Sequence, residues 1–250
     1  MRVAGKTVIL SGAAGGIGSA VSRLLAAEGA VLILLDLNVE GGTALEQDLR
    51  KAGGEAFFFA ADITTEEGWA QAVDLAVERT GRVDVLVNNA GINIRKPIEE
   101  MHIDEWQTMM KVNTGSVFLG TKYCLPVMRT QGSGSIINMS SICGLVGHKF
   151  TPEAYTATKG AVTLLTKSVA SRYAADGIRS NSIHPSTVDT PFVQQLFKDP
   201  EKKKERLGEV PLGRLATVDD VARAVLFLAS DESSFITGVS LPVDGGLTAY

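Results

Sequence analysis

Seven short apolar runs recur along this chain, separated by longer stretches, several of them amphipathic: "TVIL" (7–10), "AVLILLD" (30–36), "EAFFFA" (55–60), "VDVLVNN" (83–89), "SIINMS" (135–140), "RSNSIHP" (179–185) and "GVSLPVD" (238–244). Within the second, "VLILL" shows no polar alternation, the mark of a strand buried on both faces. Between the runs, "GSAVSRLLAAEG" and "EGWAQAVDLAVERTG" space their apolar residues helically and end at a Gly suited to a helix C-cap. This order predicts an α/β chain with a mainly parallel seven-stranded sheet, right-handed crossovers and helices on both faces. In such sheets a ligand binds outside the carboxyl ends of the strands.

With 250 residues, the chain fits one domain over 1–250, and there is no internal repeat or linker. Residues 186–215, "STVDTPFVQQLFKDPEKKKERLGEVPLGRL", break the rhythm and are expected to form a lid. A formal net charge of -4 leaves no electrostatic footprint for nucleic acid or an anionic membrane. No apolar run is long enough to span a bilayer. Cys124 and Cys143 form no CxxC, which supports neither a disulfide framework nor a metal site and fits a reducing cytoplasm.

"VILSGAAGGIGSAVSRLL" reads strand, glycine turn, helix, with Gly12, Gly16 and Gly18 in a GxxxGxG spacing and Gly15 and Ile17 between them. Bare backbone admits a phosphate, and the following helix offers unpaired N–H groups and the positive end of its dipole. Asp36, followed by Leu37, ends the second strand eighteen positions after Gly18, where a carboxylate accepts from an adenosine ribose and repels a 2'-phosphate. No Arg or Lys stands in the turn or directly after Asp36, which favours NAD over NADP. Asp62 and Ile63 follow the third strand, and "NNAG", with Asn89, Ala90 and Gly91, follows the fourth. Together they outline an extended ligand, although singly each is plausible turn chemistry.

"SGAAGGIG", Asp62, "NNAG", Asn113 in "VNTGSVF", "NMSS" (138–141), "YTATK" (155–159) and "IHPSTVDTP" (183–191) follow in order. Over essentially its whole length the chain resembles the short-chain dehydrogenase/reductase family. The resemblance implies a Rossmann-like doubly wound fold, dinucleotide binding and oxidoreductase chemistry. It adds Pro185, Val188 and Thr190 to the cofactor-binding residues, alongside Tyr155 and Lys159, and implies a homotetramer built through long helices and the C-terminal segment. Ser11 stands for the family's usual Thr and keeps the hydroxyl. Ser186 stands for its usual Gly after Pro185, near the nicotinamide.

Tyr155 and Lys159 share a helix face by their i, i+4 spacing. A tyrosine of ordinary pKa is a poor base at neutral pH; lowering that pKa to about 7 requires stabilising the tyrosinate by roughly 4 kcal/mol. The Lys159 ammonium and an oxidised nicotinamide are expected to supply this. By the resemblance, Tyr155 exchanges the proton, Ser141 rather than Ser140 holds the substrate oxygen, Lys159 binds the nicotinamide ribose and Asn113 completes a water-linked relay. The expected substrate is a secondary alcohol or its ketone, hydrophobic or cyclic, enclosed by Phe192, Leu196 and Phe197 of the lid and by Ile92, Ile94, Leu145, Val146 and His148. The run Lys198, Lys202, Lys203 and Lys204 reads as a solvated helix face. Two rivals remain: a 3-oxoacyl-[acyl-carrier-protein] reductase and a non-catalytic NAD(H)-binding regulator.

Overall fold

The computed structural model describes residues 1–190, 193–194 and 200–249. Seven strands, β1 (Thr7–Ser11), β2 (Val31–Asp36), β3 (Glu55–Ala60), β4 (Val85–Asn88), β5 (Gly134–Met139), β6 (Ile178–Pro185) and β7 (Ser240–Val243), form one sheet in the order β3-β2-β1-β4-β5-β6-β7. Every neighbouring pair is parallel. The order reverses between β1 and β4, which opens a crevice at their carboxyl ends.

The helices are α1 (Gly16–Ala27), α2 (Val39–Lys51), α3 (Glu66–Thr80), α4 (Ile103–Met110), α5 (Ser116–Gln131), α6 (Glu153–Tyr173), α7 (Pro200–Gly208) and α8 (Val218–Ala229). They divide the core into two clusters. Val21 and Leu25 of α1, Leu45 and Leu49 of α2 and Val221 and Val225 of α8 pack one face of the sheet. Trp69 and Ala72 of α3, Cys124 and Met128 of α5 and Val169 of α6 pack the other. β2 explains why its sequence is uniformly apolar: Leu32 and Leu34 enter the first cluster while Ile33 and Leu35 enter the second.

Cap chemistry differs between the helices that flank the crevice. Asn38 caps α2, Thr65 caps α3, and Thr217 with Asp220 forms a capping box on α8. Gly15, at the head of α1, makes no side-chain cap, and the first turn of α1 has no acidic residue. That helix therefore presents bare N–H groups and an uncompensated dipole to whatever lies at the sheet edge.

Two expectations shift at their boundaries. The lid segment is partly helical as α7, and it rejoins the fold through a bridge between Val188 and Ala216. Phe192, Leu196, Phe197 and Lys198 lie outside the described residues, as does the Lys202 side chain, while Lys203 and Lys204 are exposed. No helix among the described residues is long and apolar enough to cross a membrane.

Candidate active site

At the carboxyl ends of the strands lie two connected spaces. The first is a cleft of about 880 Å³ lined by the glycine turn, Asp36 and Leu37 after β2, Asp62 and Ile63 after β3, and Asn89, Ala90 and Gly91 after β4. The second is a cavity of about 540 Å³ lined by Ser141, Tyr155, Lys159, Pro185 and Val188 among others. Ile17, Asn89, Gly91, Ile92 and Thr190 belong to both walls, so one elongated molecule can occupy the two.

The glycine turn is built for close approach. Gly12 has φ +68°, and a Cβ there would lie 2.8 Å from the Ala90 Cα. A Cβ on Gly18 would lie 2.0 Å from the Gly12 carbonyl oxygen, so the chain folds back on itself only with hydrogen at that position. Ser11 ties this turn to the fourth strand's exit: its Oγ accepts from the N–H of Asn89 at 3.2 Å and of Ala90 at 3.3 Å. Asn89 Nδ2 in turn donates to the carbonyls of Ser11 and Gly12 at 3.1 and 3.0 Å. The hydroxyl retained at Ser11 thus has two acceptor duties.

Asp36 accepts from the N–H of Ala14 and of Asn38, both at 2.9 Å, which fixes its carboxylate against the glycine turn. Asp62 accepts from the backbone N–H and the hydroxyl of Thr64, and these bonds hold it below the usual carboxylate range. With bare N–H groups at α1 and carboxylates at β2 and β3, the cleft fits a dinucleotide: backbone for phosphates, acceptors for ribose hydroxyls.

In the cavity, the two neighbouring serines face opposite ways. Ser140 Oγ donates to the Lys159 carbonyl at 3.0 Å and meets Thr163, so it is tied into α6. The Ser141 side chain faces the Tyr155 hydroxyl closely enough to favour its ionised form. Behind Ser141 stands His184 of β6, a residue the sequence reading gave no role. Its Nδ1 donates to the Ser141 carbonyl at 2.7 Å, and its Nε2, 2.8 Å from the Ser182 hydroxyl, accepts. Only the tautomer protonated at Nδ1 satisfies both contacts, because the carbonyl accepts only.

Lys159 and an oxidised nicotinamide together were expected to depress Tyr155; among the protein's own groups, desolvation pushes the Tyr155 phenol up to about 12, aided by Cys143, against the opposing effects of Ser141 and Arg95. Burial pulls Lys159 down to about 8. Its Nζ donates to the Met139 carbonyl at 2.7 Å and lies 5.6 Å from the Tyr155 ring centre. The physical reason is desolvation: losing water costs the charged phenolate more than the protein's own groups return.

Asn113 lines neither space. It lies fully buried in a π-helical turn, Lys111–Gly115, between α4 and α5. Its side chain accepts from the Ile92 N–H at 2.8 Å and donates to the Ile92 carbonyl at 2.9 Å and to Thr158 at 3.1 Å. A Cβ on Gly91 would lie 3.3 Å from Asn113 Oδ1 and 3.5 Å from Lys159 Nζ, so only a glycine separates the two. Ser186 adopts no positive φ, donates its N–H to the Val243 carbonyl at 3.2 Å, and has no partner for its buried Oγ among the described residues. The side chain in place of glycine therefore leaves the turn intact.

Of the expected substrate-side residues, Ile92 and His148 line the cavity, while Leu145, Val146 and Ile94 do not. Asn93, Arg95, Phe150 and Arg206 do, and the sequence reading missed them. Arg95 and Arg206 sit in segments read for apolar contacts and for a lysine face, so their type was overlooked rather than hidden. Cys143 is buried, with its Sγ 3.3 Å from the Thr151 hydroxyl.

A family model described as enoyl-(acyl carrier protein) reductase matches residues 12–248. The cyclopentanol dehydrogenase of Comamonas sp. is 45% identical over 248 residues, covering 99% of each chain. The trans-4-hydroxycyclohexanecarboxylate dehydrogenase of Sinomonas cyclohexanicum is 44% identical over 254 residues, covering 99% of this chain and 95% of the other. The crystal structure of a gluconate 5-dehydrogenase from Burkholderia cenocepacia, in complex with NADP and tartrate, superposes with a TM-score of 0.94 at 34% identity, covering 100% of this chain and 97% of that one. With the parallel sheet, the glycine turn and the serine, tyrosine and lysine at one sheet edge, the chain belongs to the short-chain dehydrogenase/reductase family and is an NAD(P)-dependent oxidoreductase acting on CH–OH groups.

Proposed function

We propose that this enzyme interconverts a cyclic secondary alcohol and its ketone with NAD, Tyr155 exchanging the hydroxyl proton. The observation that carries this reading is the facing of Ser141 and Tyr155 in a cavity continuous with the dinucleotide cleft. Two relatives named for cyclic alcohols, each covered almost end to end, support the ring.

NAD is favoured over NADP because the cleft is lined by Asp36 and Asp62 and, among the described residues, by no Arg or Lys. A 2'-phosphate near Asp36 would meet a like charge. The NADP complex of the gluconate dehydrogenase marks how open this choice is within the family.

When bound, the nicotinamide supplies the hydride acceptor or donor. Ser141 holds the substrate oxygen and Tyr155 takes or gives its proton. Lys159 holds the ribose, and its ammonium, with Asn113 one glycine away, passes the proton on through water. Because the chain's own groups keep Tyr155 protonated, it is ready as the acid for ketone reduction. Alcohol oxidation needs the tyrosinate, and the cation of the oxidised nicotinamide favours that form. His184 fixes the strand position from which Ser141 acts.

A relative 38% identical over 248 residues, the 3-oxoacyl-[acyl-carrier-protein] reductase of Thermotoga maritima, supports that activity as the second reading. A panel of cyclic and acyclic secondary alcohols, the matching ketones and a 3-oxoacyl thioester, each with both cofactors, separates the two. Turnover of the thioester with NADPH and of no cyclic alcohol with NAD would overturn the first. For assembly we favour a homotetramer, supported by exposed Phe118 on α5, Leu164 on α6 and Phe235 after α8. A monomeric mass by light scattering would overturn that. A reducing cytoplasm suits the two free, buried cysteines.

A further inference from the structure

The cavity in front of Ser141 and Tyr155 has a charge composition that alcohol chemistry does not require. Among its described lining residues are Lys159, Arg95 and Arg206, and none is an Asp or Glu. Lys159 is engaged with the Met139 carbonyl beside Tyr155. Neither arginine lines the dinucleotide cleft, so their charge is not accounted for by cofactor phosphates.

Arg206 is held in place. Its side chain is 14% exposed, its guanidinium lies 4.0 Å over the Phe150 ring, and Nη1 lies 3.0 Å from His148 Nε2 and 3.3 Å from Glu209. Glu209 stands behind it, outside the lining, and pairs with it at 3.3 Å. Arg95 is partly desolvated, and burial and the charge of Arg206 lower its pKa while Tyr155 raises it. Two guanidiniums and the phenol therefore sense one another across a single space. Guanidinium stays protonated in proteins, so a negative group entering this space is attracted by both arginines.

We propose that the cavity takes a substrate bearing a carboxylate, bound by Arg95 and Arg206 while its secondary hydroxyl lies at Ser141 and Tyr155. The substrate class is then a hydroxy or oxo acid on a compact carbon skeleton, of which a cavity of about 540 Å³ holds a single ring with room to spare. The fork of a guanidinium matches a carboxylate with two parallel bonds, and fixing that end sets which carbon faces the nicotinamide. The inference rests on the cyclic-alcohol reading for the skeleton, and on the arginines for the charge.

The test compares 4-hydroxycyclohexanecarboxylate with its uncharged carboxamide in the wild-type enzyme with NAD. The expected kcat/KM ratio favours the carboxylate by about tenfold or more. In Arg206→Met and in Arg95→Met the ratio falls toward one, and in Arg206→Lys, which keeps the charge and loses the fork, it lies between. Two variants are used because Arg206 also packs on Phe150 and its removal can disturb folding. Binding of unreactive cyclohexanecarboxylate and cyclohexanecarboxamide to the enzyme–NADH complex, followed by NADH fluorescence, reads the anion site independently of turnover. Equal affinities, or a wild-type ratio near one, overturn the inference even if both alcohols react. Preferential carboxylate binding without turnover of either alcohol upholds the anion site and instead overturns the alcohol reading.

Discussion

The dinucleotide cleft and the substrate cavity share Ile17, Asn89, Gly91, Ile92 and Thr190, yet they carry opposite charge. The cleft sets Asp36 and Asp62 on its wall and leaves phosphate binding to bare backbone at the head of α1. The cavity sets Lys159, Arg95 and Arg206 on its wall. In the proposed reading the cleft's carboxylates would accept from sugar hydroxyls and repel an extra phosphate, and the cavity's cations would favour a negative group and a developing oxyanion. A carboxylate-bearing molecule would meet like charge in the cleft and opposite charge in the cavity, which would direct its anionic end to the cavity.

The largest effect expected from breaking this division falls on the proton carrier. Tyr155→Phe should lower kcat by roughly 10²- to 10⁴-fold while NADH still binds, as read by fluorescence titration and single-turnover kinetics. Undiminished turnover would remove Tyr155 from its role. Next, Gly18→Ala drives a methyl into the Gly12 carbonyl, so the cleft must deform while the cavity is left in place. Dinucleotide affinity should fall about tenfold or more, with about 1–3 kcal/mol of stability lost in urea denaturation; unaltered NADH affinity would mean that the turn is not the phosphate site.

A smaller, selective change is expected from Asp36→Ala. It should erode the NAD/NADP preference in kcat/KM by about tenfold, given that a hydrogen bond to a charged group contributes roughly 1.5–3 kcal/mol. An unchanged ratio would separate cofactor choice from the charge of the cleft. The two spaces are coupled through pH as well. With Tyr155 raised toward 12, its basic form grows as pH rises while its acid form stays in large excess, so alcohol oxidation should climb between about pH 7 and 10 while ketone reduction stays nearly flat. Parallel pH profiles in the two directions would show that Tyr155 is not the titrating group. The mildest effect is expected at the shared backing: His184→Phe leaves the Ser141 carbonyl without its donor and should cost about 1–3 kcal/mol, seen as a lower urea midpoint.

The cleft was far more legible from sequence than the cavity. A glycine turn between a strand and a helix, an acid at the end of the next strand and a short motif after the fourth are local in sequence, and backbone rules assign them to one edge. The unbroken apolar run of β2 likewise announced a strand buried on both faces, as Leu32, Ile33, Leu34 and Leu35 confirm. The cavity draws on the segments after β4, β5 and β6, α6 and α7, so its composition emerges only when distant pieces meet. Arg95 and Arg206 are 111 positions apart in the chain and line one wall.

By itself, the sequence determined the parallel α/β architecture, the position of the glycine turn and the proximity of Tyr155 to Lys159, because each follows from periodicities of a few residues. Tertiary structure decided which serine faces the tyrosine, that His184 backs it, and that Asn113 stands behind Gly91. It also decided the direction in which Tyr155 is shifted, because that depends on the water excluded by every neighbouring element and not on the lysine four positions along.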